Sequence, residues 1–240
     1  MNALLLDVWE EGRTGSPVAR ALTLLRLAFP DSGREEREST CIGRRDAALI
    51  QLRTRLFGPE IVSVATCPTC GERVEITFQT DDILVPGAAD AEGPGSLEVD
   101  GFLLTYRLPA SRDLLAVQGA SDVNEASRQV LGGCLLSAVF REEPVSFSQL
   151  PESVIDALAA RFAEDDPQAD VQLSLCCPEC EEKWDLVFDI ASFLWTEVEA
   201  VAERLLLEVH ILAFNYGWSE RDILSLPAAR RQFYLQEIGG

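Results

Sequence analysis

One histidine and one lysine occur in 240 residues, and both scarcities narrow the chemistry open to the chain. His210 has no second histidine to work with. No G-x-S-x-G elbow and no glycine-rich phosphate loop is written, so nucleophilic and phosphoryl-transfer catalysis lack their usual parts. His210 falls on the same side of a predicted helix as Glu199 and Glu203, which reads as a polar contact at a helix edge before it reads as catalysis or metal ligation. The acidic pairs Asp81-Asp82 and Asp165-Asp166 sit in polar, loop-like contexts. Paired carboxylates doing acid-base work need one buried partner, so these are expected to be solvated turn residues. The chain is expected not to be an enzyme. Lys183 stands alone among 20 basic residues, a skew that reads as coding bias and not as mechanism.

Long apolar runs are missing too. No stretch of about 18 apolar residues could span a bilayer, and Met1-Asn2-Ala3-Leu4-Leu5-Leu6-Asp7 lacks the basic start and apolar length of an export signal. The expected location is the cytoplasm of the cell that makes it. Positive charge is also short: 40 acidic residues against 20 basic give a formal charge of −20. Such a molecule repels phosphate backbones and anionic lipid, which excludes nucleic acid and membrane as expected partners. The acidity is uneven, with nine Arg and nine Asp or Glu in residues 1–60 against eleven basic and 31 acidic residues in the remainder. The acidic part either meets partners or serves solubility.

What the sequence does carry is a cysteine knuckle written twice, Cys67-Pro68-Thr69-Cys70 and Cys177-Pro178-Glu179-Cys180. Gly71-Glu72-Arg73-Val74-Glu75-Ile76-Thr77-Phe78 follows the first and Glu181-Glu182-Lys183-Trp184-Asp185-Leu186-Val187-Phe188 the second, alike in charge and apolarity. In a reducing cytosol, C-x-x-C pairs read as metal ligands before disulfides. Four thiolates at this spacing predict one tetrahedral Zn2+ held by Cys67, Cys70, Cys177 and Cys180. A site closed by four cysteines has no coordination position for water, so the metal is expected to be structural; the sequence does not separate zinc from iron. Gly71 suits the left-handed turn after the knuckle, whereas Glu181 at the matching place predicts strain. Cys41 and Cys134 read as small buried hydrophobes, and Cys176, in register with Thr66, as a non-ligand.

The predicted fold class is α+β, mainly helical, with two β-hairpins forming a split four-cysteine zinc ribbon and an inserted α/β subregion. Four segments are predicted: N-terminal helices in 1–60, the split ribbon in 61–80 with 171–190, the insertion in 81–170 and C-terminal helices in 191–240. Val18, Leu22, Leu25 and Phe29 give one helical stripe, and Leu49, Leu52 and Leu56 another. Between them Arg34 to Glu38 is expected to be an exposed loop, and Gly58-Pro59 closes the second helix. Within the insertion, Pro86 to Ser96 reads as a mobile loop and Leu97 to Leu108 as a hairpin with an Asp100-Gly101 turn. Helices are expected from near Arg112, capped by Ser111, over Ser127 to Phe140, and over Pro151 to Phe162. Gly132-Gly133 permits either close packing or a break. Ser192 is expected to cap a long helix with a broad apolar arc from Leu194 to Tyr216, either buried or docked on a partner. Ser219 with Asp222, and Leu226-Pro227, open two final helices through Ile238.

The string from Glu208 to Glu220, EVHILAFNYGWSE, continuing into Ile223-Leu224-Ser225-Leu226-Pro227 and Arg230-Arg231-x-x-Tyr234-Leu235, resembles the T-even phage baseplate hub assembly chaperone family. Leu4-Leu5-Leu6-Asp7-Val8-Trp9-Glu10, Ile42-Gly43-Arg44-Arg45-Asp46 and the first knuckle are similar to the version found with contractile phage-tail-like injection systems. The likeness spans most of the chain and is weakest from Val85 to Asp170. It implies a non-enzymatic chaperone or adaptor for a baseplate or hub, with baseplate or hub proteins as partners. A permanent baseplate subunit and a general zinc-ribbon interaction module are the alternatives. Trp218, Arg230, Arg231 and Tyr234 combine the aromatic and Arg types found at interface hot spots, so they are candidate partner contacts; the alternative is that the aromatics pack the terminal helices and the arginines are solvated.

Overall fold

A computed structural model describes residues 2–87 and 93–239; of the loop expected over Pro86 to Ser96, residues 88–92 lie outside them, and Gly95 and Ser96 belong to a strand. The chain is α+β. It opens with helices α1 (Asn2–Gly12), α2 (Pro17–Ala28), α3 (Arg34–Ser39) and α4 (Ile42–Phe57). Strands β1 (Glu60–Thr66) and β2 (Arg73–Gln79) follow, then a single turn, α5 (Thr80–Ile83). The insertion holds β3 (Gly95–Val99), β4 (Phe102–Tyr106), α6 (Ser111–Ala116), α7 (Val123–Cys134), β5 (Leu135–Phe140), β6 (Glu143–Pro144) and α8 (Glu152–Asp165). Strands β7 (Gln172–Cys176) and β8 (Lys183–Val187) precede α9 (Ile190–Tyr216), α10 (Glu220–Ser225) and α11 (Ala228–Gly239). The chain divides into two compact units, Met1–Leu24 with Ala191–Gly240, and Leu25–Ile190.

In the larger unit, β3-β4-β5-β6 form an antiparallel sheet. Asp100 and Gly101, both at positive φ, make the tight turn that the right-handed strand twist favours. Alternation puts Phe102, Leu104, Tyr106 and Ala138 on one face, where they pack with Leu131 and Cys134 of α7 and Val154, Ile155, Leu158 and Phe162 of α8. Burying each large side chain of this set stabilises by about 1.5–3 kcal/mol. On the other face Leu103 and Leu136 are exposed, Leu136 being the extra residue where the β4–β5 register shifts.

In the smaller unit, Gly12 ends α1 against the Trp195 ring, which lies 2.5 Å from where a Cβ would stand. The Arg20 guanidinium covers the same ring at 4.9 Å. Val209, Leu212 and Ile223 form a second core, with Trp218, Leu224, Tyr234, Leu235 and Ile238 around it. Ser219 caps α10 by accepting from the Asp222 amide at 3.2 Å.

Several expectations are corrected. Arg34–Ser39 is a helix and not a loop: Glu35 and Glu36 occupy its positive first turn, and Arg34 pairs with Glu38 at 2.6 Å one turn on. The helix expected through Phe140 ends at Cys134, and Leu135–Phe140 is a strand because β4 offers it a ladder. Gly132 approaches Phe147, whose ring is 3.2 Å from a Cβ built there, and the helix breaks two residues later. Ser111 lies inside α6 and is buried; Asp113 caps that helix by accepting from the Ala110 amide at 2.8 Å. Helix α9 starts at Ile190, ahead of Ser192. Asp166, expected in a solvated turn, is buried. Its Oδ2 accepts from the Gly43 amide at 2.9 Å, so a residue 123 positions away caps α4.

Candidate metal centre

Each knuckle is positioned by its own hairpin. β1 pairs with β2 from Glu60↔Gln79 to Thr66↔Arg73, and β7 with β8 from Gln172↔Val187 to Cys176↔Lys183, so both pairs of cysteines sit at a strand turn. The two turns are hydrogen-bonded alike. Cys67 N donates to Glu72 O at 2.8 Å and Gly71 N to Cys67 O at 3.0 Å; Cys177 N donates to Glu182 O at 2.8 Å and Glu181 N to Cys177 O at 3.0 Å. Gly71 adopts φ +76 and Glu181 φ +58, so the left-handed turn is made twice and a glycine serves it once. Beyond the tips Phe78 and Phe188 meet edge to face, with centroids 5.2 Å apart. A two-stranded hairpin is marginal alone, and these tie to each other through the aromatic pair and the cysteines.

The sulfurs converge across the knuckles. Cys67 Sγ lies 3.6 Å from Cys180 Sγ, and Cys70 Sγ 3.5 Å from Cys177 Sγ, with all four sulfurs within 4.8 Å of one another. Exchanging the hairpins maps one close pair onto the other, a local two-fold relation between the repeats. A regular tetrahedron of sulfurs about 2.3 Å from a central ion has edges of about 3.8 Å. The set therefore fits one metal ion. Cys67 and Cys177 are buried, while Cys70 and Cys180 are exposed.

The electrostatics suit a cation. The Cys70 amide, supported by that of Thr69, draws the Cys67 thiol down to about 7 against the opposing effect of burial. At Cys180 the Glu182 amide favours the thiolate, yet the thiols of Cys70, Cys67 and Cys177, together with burial, push it up to about 12. Four thiols this close cannot all ionise unaided; a central cation held by them would reverse the penalty and favour all four as thiolates. Cys176 Sγ points away, 3.9 Å from the Cys177 and Glu181 carbonyl oxygens, and is not one of the four. Cys134 is buried, its thiol pushed up to about 12 by burial and then by Asp113, and Cys41 is half-buried.

The C-terminal candidates have different fates. Arg231 is buried: Nε donates to Glu208 Oε2 at 2.7 Å and Nη1 to Leu226 O at 2.7 Å. Trp218 and Tyr234 are half-buried and meet edge to face at 4.9 Å, with Tyr216 stacked on Trp218 at 4.8 Å. Arg230 is exposed. His210 is exposed and stacked near Phe214, itself 83% exposed. Residues missed by sequence reasoning lie around α4, where buried Arg45 donates to Asp46 at 2.7 Å and to Ser111 at 3.4 Å. Their signal, a charged pair directly before an apolar helical stripe, is visible in hindsight but common on surfaces.

A family model described as T4 bacteriophage base plate protein matches residues 24–195. Neither a curated protein nor a solved structure matches the chain.

Proposed function

Because this chain belongs to the family of T4 bacteriophage base plate proteins, we propose that it is a non-enzymatic assembly factor, a chaperone or adaptor, for the baseplate or hub of a contractile phage-tail-like particle or injection system. The observation that carries the reading is the family match over both hairpins and the whole insertion. It acts by docking on baseplate or hub proteins in the cytoplasm of the producing cell. The ion at the four sulfurs is zinc, whose tetrahedral thiolate preference suits the set, and its role is to lock two hairpins into one rigid body. A four-thiolate shell leaves no site for a metal-bound water, which agrees with a scaffold and not a hydrolase.

The test is quantitative mass spectrometry of this chain against sheath and tube proteins, in purified particles and in the producing lysate. Abundance in lysate with absence from particles is the expected result. A fixed stoichiometry in particles overturns the assembly-factor reading in favour of a permanent baseplate subunit.

A further inference from the structure

Helix α9 has two apolar faces. On one, Leu194, Val198, Ala202, Leu205, Val209 and Leu212 are buried and anchor the smaller unit. The opposite face is exposed and still apolar along its midline, where Ala200, Leu207 and Phe214 recur at seven-residue spacing. Leu207 is 58% exposed and Phe214 83%. A straight helix drifts by only about 20° per heptad, so the three make one seam, about 21 Å from first to last at 1.5 Å per residue. Exposed Glu203 and His210 stand on one flank of it, exposed Arg204 and half-buried Ile211 on the other. A row of large apolar side chains left in water marks a surface that another element covers.

We propose that a second copy of this chain covers the seam, α9 packing antiparallel on α9 about a two-fold axis at Leu207. In that arrangement the seam is complementary to itself. Seven residues either side of the axis, Ala200 of one copy meets Phe214 of the other, so a small side chain receives a large one twice, and Leu207 meets its own counterpart. Equal flanks of an antiparallel pair lie on the same side. Glu203, about 6 Å along the helix from the axis, therefore comes level with His210 of the second copy, about 4.5 Å from it, and sets a carboxylate against a ring N–H. On the other flank the apolar stem of Arg204 lies over Ile211.

A parallel pair in register lacks this fit, because it stacks Phe214 on Phe214 and leaves Ala200 facing Ala200 across a gap. A foreign helix would have to present the same small and large side chains in reverse order, which this chain already supplies. The two phenylalanine rings, the two leucines and the flanking residues together bury roughly 1,000 Å², the lower end of specific interfaces, so the pair is reversible. Net charge opposes it little. The smaller unit carries 10 acidic residues against 6 basic, whereas the larger carries 30 against 14. At physiological ionic strength charges more than about 8 Å apart are largely screened.

The experiment is sedimentation velocity of the purified, metal-loaded full chain from about 1 to about 500 µM. A monomer–dimer equilibrium is expected, with Kd raised roughly tenfold or more by Phe214→Asp and by Ala200→Phe, which puts two large rings in one layer. Both positions are exposed, and melting curves of dilute protein check that each variant folds. The double variant Ala200→Phe with Phe214→Ala exchanges the small and large members of each layer, so it is expected to restore dimerisation, which a merely sticky patch would not do. A parent chain still monomeric at about 500 µM overturns the proposal and leaves the face to a helix of another protein. So does a dimer unaffected by Phe214→Asp, or a double variant that pairs no better than Ala200→Phe alone. No particle component enters, so the pairing and the assembly role fail separately.

Discussion

Replacing Gly43 by alanine puts the buried cap of α4 to a sharp test. Helix propensity alone favours the change by at most about 1 kcal/mol. The surroundings oppose it. A Cβ on Gly43 would stand 1.7 Å from Asp166 Oδ1 and 2.6 Å from its Cγ, so the carboxylate must leave. Displacing it breaks the 2.9 Å bond to the Gly43 amide. Losing a cap costs about 1–2 kcal/mol, and forcing atoms into a filled site adds about 1–3 kcal/mol. The expected net is a loss of about 2–3 kcal/mol, or about 5–10 °C in melting temperature for a chain of this size. The assay is differential scanning calorimetry of metal-loaded protein, with Asp166→Ala as partner. Asp166→Ala alone should lose about 1–2 kcal/mol, and adding Gly43→Ala to it should then be nearly neutral, since the colliding oxygen is gone. A Gly43→Ala protein as stable as the parent, or a double variant as unstable as the sum of the singles, would refute the reasoning.

Three further outcomes follow from particular contacts. Replacing Cys67 and Cys177 by serine should abolish the one bound metal ion per chain, read by elemental analysis, and cost several kcal/mol of stability; a variant that keeps its metal places the ion elsewhere. Glu181→Gly should stabilise by about 0.5–1 kcal/mol by relieving a left-handed backbone, whereas Gly71→Ala should destabilise by a similar amount, both read from urea midpoints. At Asp113, burial alone would raise the carboxyl, but the Arg107 fork and the Ala110 amide hold it below its ordinary value. The stability it supplies is thus present above the unfolded carboxylate range and is lost as pH falls through the folded value, so Asp113→Asn should lower stability at pH 7 and flatten the loss below about pH 4.

The elements legible in the sequence were those whose signal is local. Knuckle spacing, the Asp100-Gly101 turn and the Ser219 cap each depend on a few neighbouring residues, and each appears where its spacing places it. The four-cysteine cluster was legible because C-x-x-C has few other uses in a reduced chain. What escaped was non-local. Leu135–Phe140 carries helix-compatible residues and becomes a strand only because β4 lies beside it. Asp166 reads as a solvated turn residue and Arg231 as a partner contact or a solvated arginine, yet one caps a helix 123 residues upstream and the other pairs with Glu208, 23 residues earlier. Each of these buried charges depends on a partner distant in sequence, which no window of sequence displays.

The 113 residues separating Cys67 from Cys180 also set a clock for synthesis. At about 5–20 residues per second, roughly 5 to 20 seconds pass between the ribosome's release of the first pair and that of the second. For that interval the nascent chain presents an unmatched dithiol on a hairpin too small to be stable alone. The ribbon of two hairpins can settle only after the intervening sheet and helices have been made, so the centre waits on a second half translated long after the first.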